Sequence, residues 1–292
     1  MAGLKELRTR ITSIKTTRQV TSAMKMVSAA RLKKAQDAIL QIRPYADKLH
    51  DILLSISSNL ESYENSIYTK PSEADRVLIV LISSNRGLCG AFNVNIAKKA
   101  LEWVQTNYLL QFQLEEVDFM CIGKQAERQL KLKGMKVVES HHEIYDSFDQ
   151  KHIYQLAEKI MNFFASGKYN RIDLIYNHFL NAAMQIHTAE QFLPVEINNQ
   201  QRDAQYIDYI FEPSKEYIIE DLIPMSLKIQ FLKVLLESNA AEQGARMTAM
   251  HQATDNATEL LRDLTLTYNK IRQTSITNEI LEIVSGAEAL KE

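Results

Sequence analysis

Glycine and proline are scarce in this chain of 292 residues, at 8 and 5. Both residues break helices, so their scarcity favours long uninterrupted ones. Cysteine is scarcer still, with Cys89 and Cys121 the only two. Two cysteines alone cannot close a structural zinc site, and no disulfide framework is indicated. A reduced, cytosolic compartment is therefore expected. Long apolar runs are missing too. The longest, Val77 to Ile82, falls far short of the roughly 20 residues that cross a bilayer. The opening stretch, MAGLKELRTR, has no signal-peptide core. Any membrane role is expected to be peripheral.

What is present describes a folded protein. Apolar residues make up 46% and charged residues 24%, which argues against disorder. The net charge of −2 hides an asymmetry. Residues 1–48 hold 11 Lys/Arg against 3 Asp/Glu, a net of +8; residues 214–292 hold 8 against 12, a net of −4. Two oppositely charged helices could pair with each other, and the basic end could also meet an acidic partner. The two readings are compatible.

Leu4, Leu7, Ile11 and Ile14 are spaced 3-4-3, the seam of a supercoiling helix. The seam breaks at Arg18 and Thr21. It resumes at Ala35, Ala38, Ile42, Tyr45, Leu49, Ile52 and Ile56. Pro44 interrupts it, and a kink is expected there in place of a stop. Towards the other end, Met247, Met250, Thr254, Ala257, Leu261, Leu264, Tyr268 and Ile271 repeat the spacing. After a small register change Ile276, Ile280, Ile283 and Ala287 continue it. A periodic segment this long predicts a coiled coil.

Between these segments the periodicity changes. Arg76–Ser83, Val117–Ile122, Arg171–Asn177 and Met184–Leu193 read as strands, with Val137–Val138 a short further one. Ala91–Tyr108, Lys124–Lys133 and Ile153–Ala165 read as helices. Strands alternating with helices predict a small, mainly parallel α/β sheet. The predicted organisation is an N-terminal coiled-coil helix over 1–60, a Rossmann-like α/β domain over 75–195 and a C-terminal coiled-coil helix over 210–287. Both helices leave one compact insertion, so they pair antiparallel, and the N-terminus comes level with about residue 269. Beyond that point Ile276, Ile280, Ile283 and Val284 still form an apolar stripe. At about 1.5–3 kcal/mol per large side chain when buried, such a stripe calls for another protein around it.

The loop Ser83–Asn93 (SSNRGLCGAFN) could cradle a phosphate, but it lacks the G-x-G-x-x-G and G-K-[ST] spacings. Gly123-Lys124 has no following Ser or Thr. Tight turns that pack a helix on a sheet are the reading the spacing favours. Cys89 has no evident base or zinc spacing beside it and reads as a packed cysteine. His141-His142 reads as a surface loop. No catalytic constellation, metal site or cofactor site emerges from the spacing. The basic N-terminal helix (Lys5, Arg8, Arg10, Lys15, Arg18, Lys25, Arg31, Lys33, Lys34) could contact nucleic acid, but no aromatic precedes Tyr45.

Three blocks carry a resemblance. Arg246–Leu290 (RMTAMHQATDNATELLRDLTLTYNKIRQTSITNEILEIVSGAEAL) resembles the C-terminal signature of the gamma subunits of F-type ATP synthases. Residues 7–36 (LRTRITSIKTTRQVTSAMKMVSAARLKKAQ) resemble the family's N-terminal signature. The loop SSNRGLCGAFN resembles its third block, usually S-D-R-G-L-C-G-x-x-N, with Asn85 here in place of the Asp. The order and spacing of the blocks fit, and the resemblance spans essentially the whole chain.

This resemblance implies a long antiparallel coiled coil of the terminal helices with an inserted Rossmann-like domain. It also implies a central-stalk rotor subunit without a catalytic site. The implied partners are three alpha and three beta subunits, the epsilon subunit and the membrane c-ring. The implied place is the cytoplasmic face of a bacterial inner membrane. Carried over residue by residue, Arg272 and Gln273 match the contact with the beta catch loop, and Met24 and Lys25 the region facing the beta lever loop. Arg246, Thr277 and Glu282 match positions coupled to it, and Tyr209 and Glu212 the foot that meets the c-ring. The reading kept beside it is a coiled-coil nucleic-acid-binding or scaffold protein.

Overall fold

The computed structural model describes residues 2–57, 67–69, 75–195 and 215–289. Two long helices bracket a sheet: α1 is Ala2–Ser57, of 56 residues, and α7 is Lys215–Ala289, of 75. At 1.5 Å per residue they measure about 84 and about 110 Å. Pro44 lies inside α1 and does not end it, as expected. Ile56 is in α1, but its side chain is outside the described residues.

Between them come β1 (Val77–Ile82), α2 (Phe92–Asn107), α3 (Leu109–Gln113), β2 (Val117–Ile122), α4 (Lys124–Leu132), β3 (Val137–His141), α5 (Ile144–Ser147), α6 (Gln150–Ala165), β4 (Arg171–Phe179) and β5 (Gln185–Leu193). The sheet order is β3-β2-β1-β4-β5. The first four strands run parallel, and β5 is antiparallel to β4. Every residue of β1 and β2 is buried, so these strands read as continuous apolar runs without alternation. On one face Val77, Ile79, Leu81, Phe119 and Cys121 pack with Ile96, Ala97, Ala100 and Val104 of α2 and with Ala126 and Leu130 of α4. The helical positions recur every three or four residues, which is what turns one face of a helix to a sheet.

Two carboxylates are buried in this sheet, each with its own donors. Asp173 accepts from Trp103 Nε1 at 2.7 Å and the Tyr108 hydroxyl at 2.6 Å. Asp118 accepts from Arg76 at 2.9 Å and the Tyr169 hydroxyl at 3.0 Å. A buried charge without such donors would be costly. Burial, with the negative partner beside each, pushes both phenols up from the ordinary tyrosine range, so each stays a donor.

The chain divides into two compact units, residues 1–28 with 247–292, and residues 29–246. In the second unit α7 is a core helix. Ile223, Leu227, Ile229, Phe231, Leu232, Val234, Leu235 and Leu236 are all buried, and together they cover about two thirds of the helix circumference. Phe231 meets Phe192 of β5 with ring centroids 6.0 Å apart. In α1 the seam runs through Leu32, Ala35, Ile39 and Leu49. Ile39 takes the place expected of Ala38, and Tyr45 is exposed, because the seam keeps its heptad phase.

In the first unit the helices pair through one stripe. The Thr254 hydroxyl donates to that of Thr21 at 2.9 Å. In the antiparallel pair this sets the register: Ile14 comes level with Leu261, Ile11 with Leu264, Leu7 with Tyr268 and Leu4 with Ile271. All but Ile271 are half-buried. The expected break at Arg18 and Thr21 is not a break. Leu4, Leu7, Ile11, Ile14, Arg18, Thr21, Lys25 and Ser28 keep the 3-4 spacing, and Thr21 and Ser28 are buried. The seam continues there in polar residues, held by a hydrogen bond in place of apolar contact.

Gly123 joins β2 to α4 at φ +100°, and a Cβ there would lie 2.3 Å from the Ser83 carbonyl oxygen. The obstacle is backbone and cannot rotate away. Gly123→Ala is expected to cost about 2–4 kcal/mol. Urea unfolding of the chain followed by circular dichroism measures this, and a loss below about 1 kcal/mol would contradict it.

Candidate functional site

The loop after β1 makes its own use of the donors at the start of α4. The backbone N–H of Lys124 donates to Asn85 Oδ1 at 3.2 Å, that of Gln125 to the Ser84 carbonyl at 3.1 Å, and that of Ala126 to Ser83 Oγ at 2.8 Å. These first-turn groups are the ones a phosphate would need. Protein atoms hold them. The loop thus packs against the start of α4. Asn85 also donates from Nδ2 to the His142 carbonyl at 2.8 Å, so its amide works in both directions. An Asp at this position would keep the first bond and lose the donor of the second.

Further along, Leu88 and Gly90 have φ of +64° and +61°, which curl the loop over Cys89. Cys89 is buried, with Asn93 Nδ2 at 3.1 Å from its sulfur. Burial pushes the thiol up from its ordinary value, as befits a packed side chain. Cys121, also buried, is pushed up to about 12 by burial.

The open side of this loop receives Arg246 of α7. Its guanidinium donates to Glu242 at 2.6 Å, to the Arg86 carbonyl at 3.1 Å and to the Gly87 carbonyl at 3.3 Å. Arg246 is 7% exposed and Glu242 6%. A fork of donors suits three acceptors at once. Nearby, Glu237 is buried and holds Arg43 of α1 at 3.3 Å and the His178 ring of β4. Gly244 passes so close to the β4–β5 connection that a Cβ would sit 3.2 Å from Ala182 Cα. One stretch of α7, Glu237 to Arg246, is therefore tied to α1, the sheet and the loop.

The remaining residues singled out from the sequence lie elsewhere. Arg272, Gln273, Thr277 and Glu282 are exposed on α7. The Thr277 hydroxyl bonds the Gln273 carbonyl at 2.9 Å, a local helix contact. Met24 and Lys25 are half-buried on α1. Tyr209 and Glu212 lie outside the described residues. By the register set at Thr21, Ala2 comes level with Gln273, within a turn or so of the expected point. Past it Ile276, Ile280, Leu281, Ile283 and Val284 are between 46% and 71% exposed. Sequence reasoning singled out Arg246 but missed its partners. Glu242 was within reach of an i,i+4 search, whereas the Arg86 and Gly87 carbonyls leave no side-chain signal.

Among the described residues no group of His, Cys, Asp and Glu is placed to hold a metal ion, and no helix is long and apolar enough to cross a membrane. Paired terminal helices and an inserted Rossmann-like domain define a class, the coiled-coil proteins with an inserted α/β domain. The comparisons specify which. The family model described as ATP synthase matches residues 3–290. An ATP synthase gamma chain of Christiangramia forsetii is 53% identical over 290 residues, covering 99% of both chains. That of Cytophaga hutchinsonii is 49% identical over 293 residues, again covering 99% of both. In solved structures, a rotor chain of the Euglena gracilis mitochondrial ATP synthase has the same fold, with a TM-score of 0.66 at 20% identity over 94% of this chain and 99% of that one. This chain belongs to the ATP synthase gamma chain family.

Burial raises the Glu242 carboxyl above its ordinary value, against the lowering pull of Arg246 and of Arg31 and Arg86. A raised carboxyl supports the fold most when protonated; its contribution fades as pH rises through the raised value. At neutral pH, Arg246 offsets the buried negative charge. Arg246→Ala is expected to cost about 3–5 kcal/mol at pH 7. The cost is expected to be smaller at acidic pH, where Glu242 takes up a proton. Denaturant unfolding at neutral and at acidic pH checks this; an equal loss at both contradicts it.

Proposed function

We propose that this chain is the rotating central-stalk subunit of a bacterial ATP synthase and carries no catalytic site of its own. The observation that carries the reading is the apolar stripe Ile276–Val284, left uncovered where α1 has ended. Membership of the gamma chain family supplies the assembly that would cover it. On this reading three alpha and three beta subunits form the sleeve. The epsilon subunit and the c-ring are the partners to which Tyr209 and Glu212 are assigned. The chain sits on the cytoplasmic face of the bacterial inner membrane as a peripheral protein.

The mechanism is mechanical. Proton flow turns the c-ring and this chain with it. The helices have no threefold symmetry, so each beta subunit meets a different face. A ligand or contact shifts a conformational equilibrium only by its differential interaction with the states. Three faces thereby hold three beta subunits at three nucleotide affinities. Arg272 and Gln273 are assigned to the beta catch loop, where a guanidinium can fork onto a carboxylate. Their exposure where helix pairing ends leaves both side chains free to face the ring. Met24 and Lys25 are assigned to the acidic lever loop, with Arg246, Thr277 and Glu282 coupled to it.

Co-purification with alpha and beta subunits, with ATP hydrolysis appearing only in the assembly, tests the role. Activity of the isolated chain would overturn it. Salt-sensitive binding of nucleic acid without alpha and beta subunits would favour the scaffold reading instead. Arg272→Ala is expected to lower ATP synthesis of the assembled complex about tenfold or more, if the lost bond is worth about 1.5–3 kcal/mol. The folded chain should melt as before, since Arg272 is exposed. Unchanged synthesis would defeat the assignment.

A further inference from the structure

We infer that Arg246 and the carbonyls of Arg86 and Gly87 form the joint that passes torque between the α/β domain and α7, with Asn85 as its positioning residue. The inference rests on the rotor reading. Three observations within the unit of residues 29–246 point to it. First, Arg246 is buried, and two of its bonds end on backbone carbonyls of a loop, not on another helix. Backbone acceptors cannot swing away as a side chain would, so the guanidinium is held in place along and around the helix. Second, the loop is itself fixed one residue earlier. Asn85 bonds Lys124 N–H on one side and the His142 carbonyl on the other, and Gln125 Nε2 reaches the Asn85 carbonyl at 3.5 Å. The receiving carbonyls are thus mounted on β1, α4 and the β3–α5 connection together. Third, Glu242 accepts from the same guanidinium at 2.6 Å one turn back, so helix and loop share one cation.

Rotation of α7 against the domain would break the carbonyl contacts while leaving the Glu242 bond, which lies within the helix. The carbonyl pair therefore resists twist, and Glu242 keeps the guanidinium aimed. Lysine at 246 would keep the charge for Glu242, but a single ammonium lacks the planar fork that reaches both carbonyls. Alanine at 85 removes both bonds of the loop support. Aspartate there keeps the acceptor for Lys124.

The test uses membrane vesicles with the whole ATP synthase assembled around each variant, measuring protons pumped per ATP hydrolysed. Arg246→Lys and Asn85→Ala are each expected to lower that ratio at least threefold with ATP hydrolysis retained. Asn85→Asp is expected to recover at least half. The double variant Asn85→Ala/Arg246→Lys should be no worse than the poorer single one, because both act on one joint. Singles that pump normally, or losses that multiply in the double, overturn the inference. In the isolated chain, amide hydrogen exchange of residues 86–88 should accelerate in Arg246→Lys with circular dichroism unchanged. Unaltered exchange also overturns it. If the unmodified chain itself supports no pumping, the rotor reading fails, whereas normal pumping by the unmodified chain with no effect of the variants sinks the joint alone.

Discussion

One helix, α7, meets three different environments along its length, and the rest of the structure follows from where each begins. From Ile223 to Arg246 most of its side chains are buried, and that is the burial of a core helix. From Met247 to Tyr268 a single stripe is covered, the condition of a two-stranded coil. From Ile276 to Val284 its apolar side chains have no cover. A helix has no internal reason to change surroundings, since its backbone bonds are the same throughout. Its side chains and their neighbours set the difference, and the uncovered end is the part proposed to enter an assembly.

The pairing of the helices is specified as much by polar groups as by grease. Arg18, Thr21, Lys25 and Ser28 occupy seam positions that would be leucine or isoleucine in a coil selected for stability alone. The Thr21–Thr254 bond costs apolar burial there and specifies which residues face each other. In the unit of residues 29–246 the buried carboxylates Asp118 and Asp173 of the sheet and Glu237 and Glu242 of α7 do a comparable job. Each demands particular donors, so each admits one arrangement of the elements that bring them.

Much of this was legible beforehand. The strands β1 and β2 are short β-branched runs flanked by turn residues, and their ends agree with the reading of the sequence to a residue. The two long helices announce themselves by period and by the scarcity of glycine and proline. The α1 seam was misread between Arg18 and Ser28 because the pattern was followed through apolar residues only. Its phase was then taken up at Ala38 and Tyr45, where the structure has Ile39 buried and Tyr45 exposed. Of the candidate site, Arg246 could be picked out but its receptor could not. Backbone carbonyls at 86 and 87 carry no residue identity, and their distance along the chain from Arg246 conceals the contact.

What the amino-acid order determined by itself was local: which segments form helix or strand, their approximate ends, and the apolar excess that outlasts its partner. These depend on period and propensity, which are properties of neighbours in the chain. The tertiary structure alone decided which polar groups meet across large separations: Arg246 with the 86–87 carbonyls, Glu237 with Arg43 and His178, Thr21 with Thr254. Such bonds depend on distance and angle in space, and those exist only once the sheet and helices have packed.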